Sequence, residues 1–356
     1  DITIEGDVGG SSAALGAIIV SNADQVRFDE TVTASSFTQS TAAATGLTTF
    51  DGAVDLSGNF DVTGQSLALN GALTVGGLID VNTTSLTVNA PIQTTGAGNS
   101  VSLRATTILG GDIITSGGSI FLREAVTLAS SVVLDTGSGG TVRFTYELDS
   151  AAGQNHGITI DAGNQDIIFN KAVGTIQRLG AVKIVSADAV TVTNAKAFIA
   201  ASIEQVAGAG RTYFGGTVST NGQIGGGNLN GIDITTDEVR FTKTVTTVNG
   251  GAVRIANANT LTIDANANFS VAGKFEQVGA GTTILGGNIT TTNADISFAS
   301  GVTLSQAVNL NTGSGAGNAT FNSTLDSQTL ESNTLTITAG TGNIDFDGAV
   351  GDGANA

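Results

Sequence analysis

The chain has 356 residues, of which 50 are Gly, 1 is Pro and none is Cys, Met or Trp, and its 30 acidic and 13 basic side chains give a net charge of −17. Without cysteine there is no disulfide, zinc-thiolate or cysteine-nucleophile chemistry, and the single histidine, His156, cannot form a multi-histidine metal site. The acidic balance predicts no binding to DNA or RNA, because a nucleic-acid-binding domain needs basic side chains to neutralise phosphates.

Short alternations of apolar and polar residues recur along the chain and predict β-strands, because they are rich in Val, Ile, Thr and Phe and bounded by Gly, Asn, Asp and Ser. Clear examples are residues 86–88, 190–192 and 335–337. The alanine-rich stretches 42–44 and 195–201 are the best candidates for helix, but neither has a cap or a sustained apolar stripe. The sequence therefore predicts an all-β protein.

Internal repetition is the strongest pattern in the sequence. ILGGDI at residues 108–113 returns as ILGGNI at 284–289, an offset of 176. Earlier in the chain the offset is 164, as in the LGA of residues 15–17 and 179–181. The chain is thus predicted to contain two long repeats, the second with about twelve extra residues in its middle.

The repeats define the predicted domain organisation. Residues 1–356 are expected to form one continuous β-solenoid, with the long repeats at about 1–165 and 166–343. The pattern Ile-x-Phe-x-x-x-Val-Gly at the end of the chain matches Ile-x-Ile-x-x-x-Val-Gly at its start, so residues 344–356 are interpreted as the beginning of a third copy. Since no Met is present, we expect the chain to be a processed product or a segment of a longer protein.

A finer period is carried by nine of the 15 phenylalanines, each followed four residues later by Val or Leu. They are Phe28, Phe50, Phe144, Phe169, Phe214, Phe241, Phe298, Phe321 and Phe346. Their spacing suggests a step of about 23–25 residues, which without helices is typical of one coil of a parallel β-solenoid, and predicts about 15 coils. Tandem immunoglobulin-like sandwiches would repeat about every 100 residues, and a propeller about every 45.

The composition also favours a parallel β-solenoid. Strands stacked coil on coil place like residues on like, and Gly and Asn suit the turns. Pro is rare because nearly every strand is central and needs its backbone N–H for pairing. A second recurring motif is Phe37-x-Gln39, Ile203-x-Gln205 and Phe275-x-Gln277.

Several longer runs resemble a known family. TTFDGAV at residues 48–54, LDTGSGGTVRF at 134–144, LNTGSGAGNATFNSTL at 310–325 and LTITAGTGNIDFDGAVG at 335–351 are similar to the repeat regions of very large exported bacterial proteins related to filamentous haemagglutinin. This resemblance implies a right-handed parallel β-helix that forms the shaft of a surface adhesin or an extracellular fibre. The secretion domain and the anchor of such proteins are not among the matched segments.

Calcium is the one metal for which the sequence offers candidates. Asp55, Asn59 and Asp61, with Ser57 between them, place oxygen ligands at every second residue like the start of a calcium loop, but the Gly at the sixth position and the Glu at the twelfth are missing. Residues 225–233 resemble a calcium-binding nonapeptide that is not repeated every nine residues. Solvated turn residues are therefore the favoured interpretation, and no cofactor is expected.

Two further features that resemble catalytic motifs are interpreted as turns. Residues 135–138 spell the Asp-Thr-Gly-Ser of aspartic proteases, which need two carboxylates, but the aligned copy begins with Asn311. His156 lies between predicted strands and has no counterpart in the second repeat. Both are interpreted as turn residues.

The sequence does not meet the requirements of enzymes that use the β-helix fold. β-Helix lyases bind polyanionic sugars through basic grooves, and glycosidases need a carboxylate pair in a cleft, which regular repeats do not build. An ice-binding surface would need a strict Thr-x-Thr in every coil, which is missing.

The sequence therefore predicts a non-enzymatic structural shaft, extracellular or at the cell surface. Its expected partners are other copies or adjoining repeats end to end. A carbohydrate- or surface-binding adhesin segment is the alternative, with cell-surface glycans as partners, and a polysaccharide-degrading enzyme is a weaker one. No run approaches the roughly 20 apolar residues of a transmembrane segment.

Overall fold

The computed structural model describes residues 1–10, 13–40, 46–137 and 139–351. Across these residues every regular element is a β-strand, and the strands pair in parallel from coil to coil. The predicted all-β solenoid of about 15 coils is confirmed. Of the two alanine-rich stretches, residues 42–44 lie outside the described residues, and 195–201 run from a turn into the strand Phe198–Gln205.

The chain divides into two compact units, unit 1 (Asp1–Lys171) and unit 2 (Ala172–Ala356). The described strands of unit 1, β1 to β19 in chain order, are Ile2–Ile4, Leu15–Val20, Gln25–Phe28, Val32–Ser40, Leu47–Phe50, Val54–Leu56, Phe60–Leu69, Leu73–Val75, Ile79–Val88, Ile92–Thr94, Val101–Leu109, Ile113–Ile114, Ile120–Leu122, Val126–Leu128, Val132–Asp135, Val142–Phe144, Leu148–Ser150, Ile158–Asp161 and Ile167–Phe169.

The described strands of unit 2, β20 to β40 in chain order, are Leu179–Ser186, Val190–Val192, Phe198–Gln205, Arg211–Phe214, Val218–Thr220, Asn230–Thr236, Glu238–Phe241, Val245–Thr247, Ala252–Asn257, Thr260–Ile263, Phe269–Val271, Phe275–Gln277, Thr282–Leu285, Ile289–Thr291, Ile296–Phe298, Val302–Leu304, Val308–Asn311, Ala319–Phe321, Leu325–Ser327, Leu335–Thr338 and Ile344–Phe346.

The strands of unit 1 form three ladders, in which each inward residue lies opposite its equivalent in the next coil. Ladder A runs through Ile4, Phe28, Phe50, Leu69, Val88, Leu109, Leu128 and Ser150. Ladder B runs through Val8, Val32, Val54, Leu73, Ile92, Ile113, Leu134 and Ile160. Ladder C runs through Val20, Gln39, Val62, Val81, Leu103, Leu122, Phe144 and Phe169.

Unit 2 has the same three-sided cross-section. Ladder A′ runs through Val192, Phe214, Phe241, Ile263, Leu285, Leu304 and Ser327. Ladder B′ runs through Val173, Phe198, Val218, Val245, Phe269, Ile289, Leu310 and Ile337. Ladder C′ runs through Ile184, Gln205, Ile234, Ile255, Gln277, Phe298, Phe321 and Phe346.

The core of each unit lies between its three ladders, because side chains alternate along a strand and every second residue points inward. The strand Val54–Leu56, for example, is buried, exposed and buried in turn. Phenylalanines in neighbouring coils stack face to face: the ring centroids are 5.0 Å apart for Phe144 and Phe169, and 5.1 Å for Phe214 and Phe241. These distances follow the spacing of about 4.8 Å between hydrogen-bonded strands.

The nine phenylalanines of the predicted period belong to more than one ladder. Phe28 and Phe50 are on ladder A, whereas Phe144 and Phe169 are on ladder C. Successive positions on ladder A can also be closer together in sequence than the predicted step, as Phe50, Leu69 and Val88 are. Because a phenylalanine can occupy the inward position of any ladder, the spacing of phenylalanines alone does not give the length of each coil.

One coil of unit 2 is enlarged by a loop. Phe214 and Phe241 are opposite each other on ladder A′, and the chain between them is longer than the predicted step. It includes the predicted nonapeptide. Residues 225–229 of the nonapeptide form a loop in which Gly225 and Asn228 exchange backbone hydrogen bonds, and residues 230–233 begin the strand Asn230–Thr236. Gly225, Gly226 and Gly227 have φ angles of 93°, 60° and 89°, a left-handed conformation that favours glycine.

Candidate functional site

The three calcium candidates lie close together in sequence but on different faces of unit 1. Asp55 is exposed on ladder B and Asp61 is exposed on ladder C. In the turn between them, the Asn59 Oδ1 accepts a hydrogen bond from the backbone N–H of Leu78 in the next coil, at 2.9 Å. Among the described residues, no group of three or more His, Cys, Asp and Glu side chains could hold a metal ion. Calcium binding at Asp55, Asn59 and Asp61 stays a prediction, and the geometry gives Asn59 a role in the turn.

The first three residues of the protease-like tetrapeptide form a turn, and residues 311–313 form an equivalent turn in unit 2. The Asp135 Oδ1 accepts a hydrogen bond from the Gly137 backbone N–H at 2.7 Å, and the Asn311 Oδ1 accepts the same bond from Gly313 at 2.9 Å. Both glycines have positive φ. Because Asn and Asp make the same contact, the carboxylate of Asp135 acts here as a turn acceptor. The fourth residue of the motif, Ser138, lies outside the described residues.

His156 occupies a turn position that is also repeated. Its backbone N–H donates to the Ser150 Oγ at 2.9 Å, and the backbone N–H of Asn333 donates to the Ser327 Oγ at 3.0 Å in unit 2. The histidine side chain is half-buried. The hydrogen bond that recurs in each unit therefore comes from the backbone N–H and not from the imidazole.

The glutamines of the second sequence motif point into the core. The Thr212 Oγ1 donates to the Gln205 Oε1 at 2.6 Å, and the Gln277 Nε2 donates to the Asn257 Oδ1 at 2.9 Å. Gln277 is 1% exposed. These side chains satisfy buried polar groups at the corner between ladders C′ and A′, so their role is structural.

A polar groove is present at the corresponding corner of unit 1, between ladders C and A. We call it the arginine groove; it has a volume of about 650 Å³ and is lined by residues 82–84, Arg104, Thr106, Arg123, Glu124 and Thr145. Leu103 and Leu122 are opposite each other on ladder C, so Arg104 and Arg123, which follow them, occupy the same outward position in neighbouring coils. Two guanidinium groups therefore line one short groove of a strongly acidic protein.

The contacts of the two arginines differ. The Arg104 Nη2 is 3.3 Å from the Asp80 Oδ2, and both side chains are partly exposed. The Arg123 Nε donates to the Ser102 Oγ at 3.1 Å, and its guanidinium carbon lies 5.1 Å from the centroid of the Phe121 ring. Among the described residues, no carboxylate forms an ion pair with Arg123, so its charge is not matched by a direct partner.

Elsewhere, most ion pairs join neighbouring coils. Arg240 contacts Asp264 at 2.9 Å, and this hydrogen bond raises the pKa of Arg240 above its usual value. Lys183 contacts Glu204 at 3.0 Å in the same way. Pairs this exposed contribute about 0–1 kcal/mol each to the free energy of unfolding, so they add little to the stability of the fold.

Sequence reasoning missed the arginine groove, although a signal was present. The stretch IFLRE at residues 120–124 aligns with ISFAS at 296–300, so Arg123 and Glu124 correspond to Ala299 and Ser300. A comparison of charged outward positions between the two repeats would have singled out Arg123 and Glu124, but not their position beside Arg104.

No known protein family, curated protein or solved structure matches the chain. Within the described parts of the chain, no helix could span a membrane.

Proposed function

We propose that this protein is a non-enzymatic structural shaft of a bacterial surface adhesin or an extracellular fibre. The observation that carries the proposal is the uniform stack of coils in each unit, in which strands bond to the coils on either side. Such a stack gains stability with every interface between coils. The turns that resembled catalytic motifs make local hydrogen bonds, which supports a role without catalysis.

The first described coil of unit 1 and the last of unit 2 support an association end to end. In the first, Ile2 and Leu15 are 38% and 49% exposed, and in the last, Phe346 and Val350 are 43% and 55% exposed. Exposed strand edges with apolar side chains are templates for further β-pairing. Adjoining repeats or a second copy of the chain would cover both sets of side chains.

Electron microscopy and sedimentation of the purified chain test this association. We expect concentration-dependent rods, and we expect Phe346→Lys to reduce their length because it places a charge at the exposed edge. Ile108→Lys is the matched control, since Ile108 is 47% exposed on an outward position in the middle of unit 1. Particles that stay single at every concentration, or equal effects of the two variants, would contradict the association.

A second role, binding of surface glycans by the same shaft, is favoured by the arginine groove. Its asparagine, threonine and arginine side chains offer both donors and acceptors to sugar hydroxyls.

A further inference from the structure

Beside the arginine groove, outward positions of ladder C carry an aromatic and a further basic side chain. Phe121 and Arg143 are opposite each other in the register of the ladder. Arg143 is exposed, and Phe121, half-buried, lies beneath the guanidinium of Arg123. Three arginines from three successive coils, Arg104, Arg123 and Arg143, thus share one face of unit 1.

This arrangement places like charges at neighbouring outward positions of unit 1. Like charges at neighbouring positions of a sheet repel each other, and the cost falls when a counter-charge is placed between them. Asp80 pairs with Arg104, but over the described residues neither Arg123 nor Arg143 forms an ion pair with a carboxylate. Glu124 is the only acidic side chain among the residues that line the groove, against two arginines.

Unit 2 provides an internal comparison, because its coils follow the same ladders. The positions equivalent to Arg104, Arg123 and Arg143 are Val278, Ala299 and Thr320, each directly after or within the matching strand of ladder C′.

The corresponding corner of unit 2 also contains a groove, of about 440 Å³, lined by residues 207–209, 235–237, 256–258 and 279–280, none of them basic. The backbone therefore needs no arginine at these positions, and a purely structural role does not explain them.

The chemistry of the groove indicates an acidic saccharide. A guanidinium group binds a carboxylate or a sulfate through two parallel hydrogen bonds, and Arg123 is held in place by Phe121 and Ser102. Neighbouring coils are about 4.8 Å apart, so Arg104 and Arg123 are one coil apart at the same outward position. Arg143 is opposite Phe121 and therefore lies beside this pair. The hydroxyl groups of Thr83, Thr84 and Thr106 line the same groove and suit the hydroxyl groups of a sugar ring.

We propose that the arginine groove binds a linear saccharide that carries carboxylate or sulfate groups, which contact Arg104 and Arg123 in neighbouring coils, with Arg143 on the adjoining outward position of ladder C. The inference rests on the proposed extracellular role, since such saccharides are components of cell surfaces and matrices. It deepens that role by giving the shaft a recognition site.

Isothermal titration calorimetry of the full chain tests the proposal with three probes: tetragalacturonate, which carries carboxylates, dextran sulfate, which carries sulfates, and neutral dextran. We expect binding of at least one anionic probe and none of dextran. Arg104→Val with Arg123→Ala, which introduces the residues of unit 2, should weaken binding about tenfold or more. Arg240→Ala with Arg254→Ala is the control with the same change in net charge, and it should change the affinity less than twofold.

The result with each probe identifies which anionic group is recognised. Binding of dextran, equal loss in the two double variants, or no binding of either anionic probe would overturn the proposal. A reciprocal variant, Val278→Arg with Ala299→Arg, places the same pair in unit 2 and should add a second binding site, and its failure to do so would count against the role of these two residues. Circular dichroism of all variants verifies the fold, and the formation of rods, which does not involve the groove, tests the shaft separately.

Discussion

Phe28 and Phe50 lie in successive coils of ladder A with their rings parallel and their centroids 4.9 Å apart. Phe50 also contacts Phe37 and Phe60, at 5.1 and 5.7 Å between ring centroids, so the side chains of two ladders meet in the core of unit 1. Phe50 is fully buried. The stability of this end of unit 1 therefore depends on a cluster of aromatic rings that extends along the stack and across it.

The variant Phe50→Ala should lower the free energy of unfolding by about 3–5 kcal/mol, because it removes the contacts with three rings and leaves a cavity. Phe50→Leu is the control: Leu69 occupies the next position of ladder A, and we expect a cost of about 1.5 kcal/mol or less. Urea unfolding followed by circular dichroism measures both. A loss below about 1 kcal/mol for Phe50→Ala would show that the neighbouring coils close the cavity.

Much of this architecture could be predicted from the sequence. The alternation in residues 190–192 and the matches at 108–113 and 284–289 depend on local chemistry and on repetition, and both are visible in a single chain. Which ladder a phenylalanine joins depends instead on the length of each turn, and a turn can gain or lose residues without changing the inward pattern. The arginine groove needed the fold, because Arg104 and Arg123 are distant in sequence and meet only through the register of β11 and β13.

Gln277 makes buried hydrogen bonds at the corner between ladders C′ and A′ of unit 2, in a coil whose equivalent in unit 1 has a leucine. Its Nε2 donates to the carbonyl oxygens of Gly279 and Gly281 at 2.8 and 3.0 Å, and its Oε1 accepts from the backbone N–H of Ser300 at 3.2 Å. The equivalent residue of unit 1 is Leu103, in ladder C.

The variant Gln277→Leu should cost about 1–3 kcal/mol of unfolding free energy, because it leaves buried carbonyl and N–H groups without partners. The reciprocal Leu103→Gln should also destabilise, because it buries an amide where no partner is prepared. Thermal unfolding of the two variants against the wild type measures the effect. Stabilisation by Gln277→Leu would mean that water replaces the lost hydrogen bonds.

Gly118 lies where two coils approach closely, and a Cβ atom at this position would be 1.8 Å from the carbonyl oxygen of Asn99. Gly118→Ala should therefore destabilise by about 1–3 kcal/mol, because backbone must move to make room. Gly16→Ala is the control, since nothing lies within 4 Å of its Cβ position, and it should stay within about 0.5 kcal/mol of the wild type. Differential scanning calorimetry compares the two, and equal melting temperatures would exclude a steric origin.

Arg178 joins three coils of unit 2 and should matter more for stability than an exposed arginine. Its Nη1 donates to the backbone carbonyl oxygens of Ala200 and Ser219 at 2.7 and 3.0 Å, and burial lowers the pKa of the guanidinium below its usual value. Arg178→Gln should cost about 1–3 kcal/mol of unfolding free energy, because both carbonyl groups lose a charged donor.

Arg240→Gln is the control. It breaks the exposed pair with Asp264 and should cost about 1 kcal/mol or less. Added salt should diminish only the second effect, since screening acts on exposed pairs. Urea unfolding at low and high ionic strength separates them, and an equal response to salt would show that Arg178 acts through its charge alone.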